Sequence, residues 1–208
     1  MINLYDNFLS KEDFSYIKEN ILDNRYFPWY HNDYKVTPED NIVQFTHIFY
    51  EKHNKNSEHY KFLEPILNII NPSAIRRIKA NITYREKDFK KFELHTDFNM
   101  YDHPKYGKLD RRINLLLYMN ENWKEEYKGD LLLVDKSNKK VIKKISPIFN
   151  RCVIFNTTNK SIHGHPEQLN VPNEDIKRKS IAFYYYTKNK NEGLDFEGDS
   201  FHGTTWYK

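Results

Sequence analysis

The chain has 208 residues, 38% hydrophobic and 16% aromatic, with 33 Lys and Arg against 29 Asp and Glu for a formal charge of +4. That length can bury a real core in one domain, and 16 Tyr with 14 Phe argue against disorder although 30% of residues are charged. The small charge excess is no nucleic-acid signature, one cysteine excludes an internal disulfide framework, and no stretch nears the roughly 20 apolar residues of a membrane helix.

The N-terminal run MINLYDNFLSKED has neither a basic leader nor an apolar segment of signal-peptide length, which points to a cytoplasmic protein. Helical spacing opens at Ser10 as N-cap, with Asp13 in the first turn and Phe14, Ile17 and Ile21 on one face. The segment 57–70 predicts a second helix, with Ser57 as cap, a stripe of Tyr60, Leu63, Leu67 and Ile70, and a kink at Pro65. From residue 74 the period changes to that of strands. These are predicted at 74–84, 89–95, 111–119, 130–135, 139–145, 151–156, 160–164 and 179–187, separated by turn signals such as YKGD and KSNK. Short strands without intervening helices indicate an antiparallel jelly roll or barrel. Residues 1–73 are expected to form a helical support region and 74–208 a β-core with a polar C-terminal tail on its surface, together one globular domain. Cys152 lies in the apolar run RCVIF and is expected to be a buried structural thiol.

His-x-Asp occurs twice, at His31-Asn32-Asp33 and at His95-Thr96-Asp97. Random placement gives roughly 0.6 such triplets in a chain of this composition, so the pattern alone decides nothing. The first lies in irregular sequence between helices and reads as a surface loop. The second ends a strand in the β-rich half, where residues i and i+2 share a face, and it supplies an imidazole and a carboxylate to one point. Two His and one carboxylate bind Fe(II) on one octahedral face and leave the remaining positions open. The third donor comes from a distant strand. Of the downstream candidates, His103 lies in a turn and His202 in the tail, whereas SIHGHP follows an apolar strand and offers His163, with His165 as its neighbouring alternative. Gly164 between them clears space for close approach. On the last strand Arg178, Ser180, Ala182 and Tyr184 share a face by alternation, which places a guanidinium as an interior carboxylate clamp.

Taken together, RRIKANITY, HTD, RRINLLLYMNENWKEEYKGDLLLVD, SPIFNRCVIFN, SIHGHP and RKSIAFYYYT resemble the Fe(II)- and 2-oxoglutarate-dependent dioxygenases, in the prolyl-hydroxylase-like branch. The matching run covers about residues 75–187, with Asn150 where a turn glycine is common. The resemblance implies a mainly β fold with N-terminal helices, built on a double-stranded β-helix of the cupin-like jelly-roll type. It implies that His95, Asp97 and His163 bind Fe(II) and that Arg178 pairs with the C5 carboxylate of 2-oxoglutarate. Tyr84, Ser180 and Tyr118 are further candidates for cosubstrate contact, and Trp123 is read as packing. The reaction implied is hydroxylation of an unactivated C–H bond by O2 with release of succinate and CO2, ascorbate being the reductant such enzymes can draw on.

The branch makes a prolyl residue of a peptide or protein the leading substrate, with a small polar metabolite, amino acid, saccharide or nucleobase as alternatives. A non-catalytic jelly-roll binding module and a cupin-like metalloenzyme without 2-oxoglutarate are the competing classes. Residues 26–40 and 99–111 are expected at the mouth of the site, and the sequence names no oligomeric state.

Overall fold

The computed structural model describes residues 2–34, 42–51, 54–72, 74–86, 94–97, 101–103, 107–109, 112–135, 139–157, 161–186 and 205–207. Helix α1 (Lys11–Ile21) starts where the sequence predicts, because the Ser10 hydroxyl accepts from the Asp13 backbone N–H at 3.0 Å. It buries Phe14, Ile17 and Ile21. The second predicted helix is two pieces, a 3-10 helix at Glu58–Leu63 followed by α2 (Glu64–Ile70). Pro65 does not kink a helix there. It stands in the first turn of α2, where its missing N–H would have had no intrahelical partner.

The molecule is mainly β, with two facing antiparallel sheets. The larger takes β1 (Ile2–Tyr5), β12 (Cys152–Thr157), β9 (Arg112–Tyr118), β14 (Arg178–Tyr186), β5 (Ala74–Thr83), β3 (Gln44–Glu51) and β2 (Tyr30–Asn32) in that order, with β4 (Asn54–Lys55) on β3. The smaller orders β11 (Val141–Ile145), β10 (Leu131–Asp135), β13 (Ser161–Gly164), β6 (Leu94–Thr96) and β15 (Thr205–Tyr207). Strands β7 (Tyr101–His103) and β8 (Gly107–Leu109) pair with each other, so the expected mouth segment 99–111 is partly an antiparallel ribbon.

Seven of the eight predicted strands are seen with ends shifted by no more than two residues, and the eighth appears as β6, residues 89–93 lying outside those described. The first third departs most from expectation, because it adds β1–β4 to the helices. Its strand β3 pairs with β5 over seven residues from Gln44↔Thr83 to Glu51↔Arg77. Its sequence QFTHIFYE carries polar residues on the face that meets the other sheet, so the hydrophobic alternation that marks a half-buried strand is blurred. The tail likewise contributes a strand, β15, paired with β6 as Thr205↔Thr96, Trp206↔His95 and Tyr207↔Leu94.

Period-2 alternation sorts the larger sheet into two faces. Ile78, Ala80, Leu115, Leu117, Ile181, Phe183 and Tyr185 pack with Phe14, Ile17, Leu63 and Ile66 of the helical layer. The opposite positions, among them Lys79, Asn81, Thr83, Asn114, Ser180 and Tyr184, face the smaller sheet. That inter-sheet layer is apolar at one end, where Tyr118, Leu131, Leu133, Ile145, Val153 and Phe155 cluster. Cys152 is buried, and burial pushes its thiol pKa up, as expected of a structural thiol. Asn150 takes the left-handed conformation (φ 53°) and ties the N-terminus to the sheet. Its side chain accepts from Leu9 N–H at 3.0 Å and donates to Leu9 C=O at 2.9 Å.

Gly129 (φ +79°) is held tightly before β10: a Cβ there would lie 2.5 Å from Leu169 Cδ2 and 3.2 Å from Arg178 Cδ. Gly129→Ala is expected to cost about 1–2 kcal/mol from left-handed strain, or roughly 2–8 °C of melting temperature in a chain of this size. It should also raise the KM for any ligand that Arg178 holds; a thermal melt with steady-state kinetics checks both.

A candidate metal centre between the sheets

Three side chains from the smaller sheet converge on one point. β6 presents His95, Asp97 follows directly after it, and β13 lies antiparallel with His163 in register with His95. His95 Nε2 lies 3.6 Å from Asp97 Oδ1 and His163 Nε2 lies 3.3 Å from Asp97 Oδ2. One donor atom from each residue falls within 4.8 Å of the others. The two imidazole centroids are 4.5 Å apart and Phe155 packs edge-on against His163 at 4.9 Å.

Neighbouring groups fix these donors. His163 Nδ1 stands 2.9 Å from the Ser161 carbonyl, so Nδ1 donates there and Nε2 is the nitrogen aimed at the cluster. Asn114 of β9 donates its amide to Asp97 Oδ2 at 2.9 Å. Burial alone would raise the Asp97 carboxyl. The hydrogen bond and charge of His163, the charge of His95 and the Asn114 amide overcome it and hold the group ionised well below the usual carboxylate range. A buried carboxylate held ionised between two imidazoles is the donor set of an open divalent-metal site, with vertices left for other ligands.

His95 and His163 line a cavity whose wall also includes Gln44, Lys79, Asn81, Thr83, Asn114, His165, Arg178, Ser180 and Tyr184. Arg178 is 5% exposed. Its Nη2 reaches only the Thr83 hydroxyl at 3.4 Å, and its Nη1 is buried without a hydrogen-bond partner among the described residues. Burial pushes its pKa down, yet a guanidinium keeps its proton. A fixed cation therefore faces the cavity without a carboxylate among the described residues to meet it.

The sequence-derived residues divide clearly. His95, His163, Arg178 and Ser180 line one cavity, and Asp97 completes the donor cluster beside it. His165 lines it but stays out of the donor cluster, its Nε2 lying 3.3 Å from the Tyr118 hydroxyl. Tyr118 is fully buried beneath the wall, and burial raises its pKa. Tyr84 is not in the lining: β5 sends Thr83 inward and ends there, so the next ring turns to Phe45 (5.5 Å) and the Lys177 ammonium (5.1 Å). Trp123 packs on Tyr127 and donates its indole N–H to Lys128 C=O at 3.1 Å. His31 and Asp33 are exposed, 3.4 Å apart on and beside the edge strand β2 rather than in a loop. The side chain of His103 and all of His202 lie outside those described. Sequence reasoning missed Asn114, Lys79, Asn81 and Thr83. Their signal was polar residues recurring at every second position of otherwise apolar strands.

Residues 81–186, just over half of the chain, match the family model described as the 2OG-Fe(II) oxygenase superfamily. No curated protein matches the sequence. Among solved structures, a prolyl hydroxylase from Trichoplax adhaerens, in complex with a hypoxia inducible factor oxygen degradation domain peptide fragment, is 17% identical. That match covers 89% of this chain and 83% of the other, with a TM-score of 0.62. A Pseudomonas putida prolyl-4-hydroxylase is 11% identical over 89% and 92% of the two chains, with a TM-score of 0.51. HygX from Streptomyces hygroscopicus, with nickel, 2-oxoglutarate and hygromycin B bound, is 10% identical over 90% and 83%, with a TM-score of 0.53. At these identities the likeness is one of fold.

Proposed function

The chain belongs to the 2OG-Fe(II) oxygenase superfamily, and from that premise we propose that His95, Asp97 and His163 hold its Fe(II) while Arg178 grips the far carboxylate of 2-oxoglutarate. It is an Fe(II)- and 2-oxoglutarate-dependent dioxygenase. The observation that carries the residue assignment is the buried Arg178, whose Nη1 has no hydrogen-bond partner among the described residues and which lines one cavity with His95 and His163. The two sheets are read as a double-stranded β-helix. Every proposed ligand lies in 74–208, so that part is read as the catalytic core and 1–73 as its support.

Bound iron supplies the chemistry of coupling O2 to the oxidative decarboxylation of 2-oxoglutarate, which yields succinate, CO2 and a hydroxylated product. The chain's own residues do the rest. The Ser161 carbonyl engages His163 Nδ1, so Nε2 is the nitrogen turned toward the metal position. Asn114 holds Asp97 to one rotamer and leaves Oδ1 facing His95. Thr83 orients the Arg178 guanidinium, and Gly129 leaves room for its methylene stem, where a Cβ would fall 3.2 Å from Cδ. Ser180 lies one register step inward from Arg178, beside Asn81, where its hydroxyl can share the same carboxylate. Tyr118 adds its hydroxyl from beneath through His165. The leading substrate is a prolyl residue of a peptide or protein, with a small polar metabolite as alternative. The assignment is to the cytoplasm; no helix among the described residues is long and apolar enough to cross a membrane.

The test is anaerobic addition of Fe(II) and then 2-oxoglutarate, read by the visible charge-transfer band of the chelate. O2 follows, with a succinate assay across prolyl peptides and small metabolites. A band, and succinate formation stimulated by one substrate class, is the expected result. A band that forms equally well in Arg178→Ala would overturn the clamp, and iron without a band would overturn the site.

A further inference from the structure

β5 carries more positive charge into the cavity than iron and cosubstrate binding use. Its inward positions run Arg77, Lys79, Asn81 and Thr83, the register partners of Tyr184, Ala182, Ser180 and Arg178 on β14. Lys79 lines the cavity. Its flanking partners are Ile48 on β3 and Ala182 on β14, a place where an aliphatic side chain would pack without cost. A lysine here must surrender hydration instead. Burial pushes its ammonium down to about 8, helped by the Arg77 charge and opposed by Glu51 and Asp97. Those carboxylates act at a distance, for Lys79 makes no ion pair with any described residue. Arg77 stacks on the Tyr184 ring, with its guanidinium carbon 4.6 Å from the centroid, and its Nε is buried without a hydrogen-bond partner.

Among the described residues the charges do not balance with 2-oxoglutarate alone. Divalent iron brings two positive charges, and Arg77, Lys79 and Arg178 bring one each. Asp97 and Glu51 return one each and the cosubstrate dianion two, so one positive charge is left over. The cosubstrate has no group to spare for it, since its far carboxylate is taken by Arg178 and its 2-oxo acid end by the metal. Ala182 stands four residues along β14 from Arg178, about 13 Å at strand rise, so its partner Lys79 forms a second and separate cationic position.

We infer that the prime substrate carries an anionic group, a carboxylate or a phosphate, and that Lys79 binds it. The inference rests on the cosubstrate lying at Arg178 as proposed above. It narrows the substrate to an acid: a free amino acid or other small carboxylate, a phosphate ester, or a peptide that presents a carboxylate beside the reacting carbon.

The experiment uses the protein loaded with Zn(II) and 2-oxoglutarate and titrates it with L-proline, L-prolinamide and inorganic phosphate. NMR follows the Lys79 ε-methylene resonance, identified by its absence from Lys79→Met. Saturable movement with L-proline or with phosphate, and none with the amide, which lacks the carboxylate, is expected. Calorimetry should show the bound anion at least tenfold weaker in Lys79→Met and restored in Lys79→Arg. L-proline acting alone marks a carboxylate substrate, and phosphate acting alone a phosphate ester. A Lys79 resonance unmoved by either anion, or moved equally by the amide, overturns the inference. So does a Lys79→Met that loses 2-oxoglutarate instead of the anion, because Lys79 would then serve the cosubstrate. Failure of Zn(II) or 2-oxoglutarate to bind the unaltered protein would strike the proposed site itself, a result distinct from the anion titration on the same sample.

Discussion

Arg178→Met is expected to lose 2-oxoglutarate binding by about 30-fold to several thousand-fold, the 2–5 kcal/mol that truncating one partner of a buried charge pair costs, and to raise the melting temperature of the ligand-free protein. The two halves have one cause. Arg178 is 5% exposed, with Nη1 lacking any described partner, so without ligand the fold carries a desolvated cation with no ion pair. Replacing buried ionic groups by well-packed apolar ones stabilises proteins by about 1–4 kcal/mol, or roughly 2–16 °C here at 2–4 °C per kcal/mol. Methionine is a suitable replacement because its flexible thioether can fill the channel beside Gly129 and Thr83. The measurements are a thermal melt in buffer free of carboxylate and phosphate, and 2-oxoglutarate affinity by anaerobic titration of the iron chelate. Iron itself should stay bound, since Arg178 is no part of the donor cluster. A lowered melting temperature would mean that the guanidinium already has a structural counter-charge, and an unchanged affinity would remove it from the cosubstrate.

Such residues are legible in a sequence to different degrees. Arg178 could be read because β14 alternates cleanly: Arg178, Ser180, Ala182 and Tyr184 on one face, Ile181, Phe183 and Tyr185 on the other. His95 and Asp97 could be read because i and i+2 share a face, a local rule. The choice between His163 and His165 could not be made on those grounds. Both have the same parity on one short segment, and what separates them is which strand lies opposite: β6 brings His95 level with His163. Pairing across some 70 residues of chain is a tertiary fact that no local period encodes. The same limit hid Asn114, which matters only because Asp97 sits above it, and β3, whose polar inward residues Gln44 and Thr46 look like loop until a cavity explains them. Tyr84 differs in the opposite direction. The resemblance suggested it from its place ahead of the His-x-Asp, but one residue of register past Thr83 carries its ring to Phe45 and Lys177.

Asp97→Ala is expected to abolish turnover, and His31→Ala and Asp33→Ala to leave it within about twofold, although both pairs carry the same sequence pattern. The contrast follows from environment. Asp97 is 3% exposed, and its two oxygens meet His95, His163 and Asn114. Removing it leaves two imidazoles with no charge between them and the Asn114 amide without its acceptor. Loss of an outer group that merely orients a metal ligand typically costs 10–100-fold in affinity, so loss of the anionic ligand itself should exceed about 100-fold. Asp33 has a side chain 88% exposed, its imidazole partner is 48% exposed, and no third donor among the described residues joins them. Exposed pairs of that kind contribute about 0–1 kcal/mol. Iron retained after desalting, measured by metal analysis, separates loss of the site from loss of chemistry, and succinate release reports turnover. Iron retained in Asp97→Ala at the level of the unaltered protein would show that the metal sits elsewhere. Turnover lost in His31→Ala would place the β2 edge in the reaction.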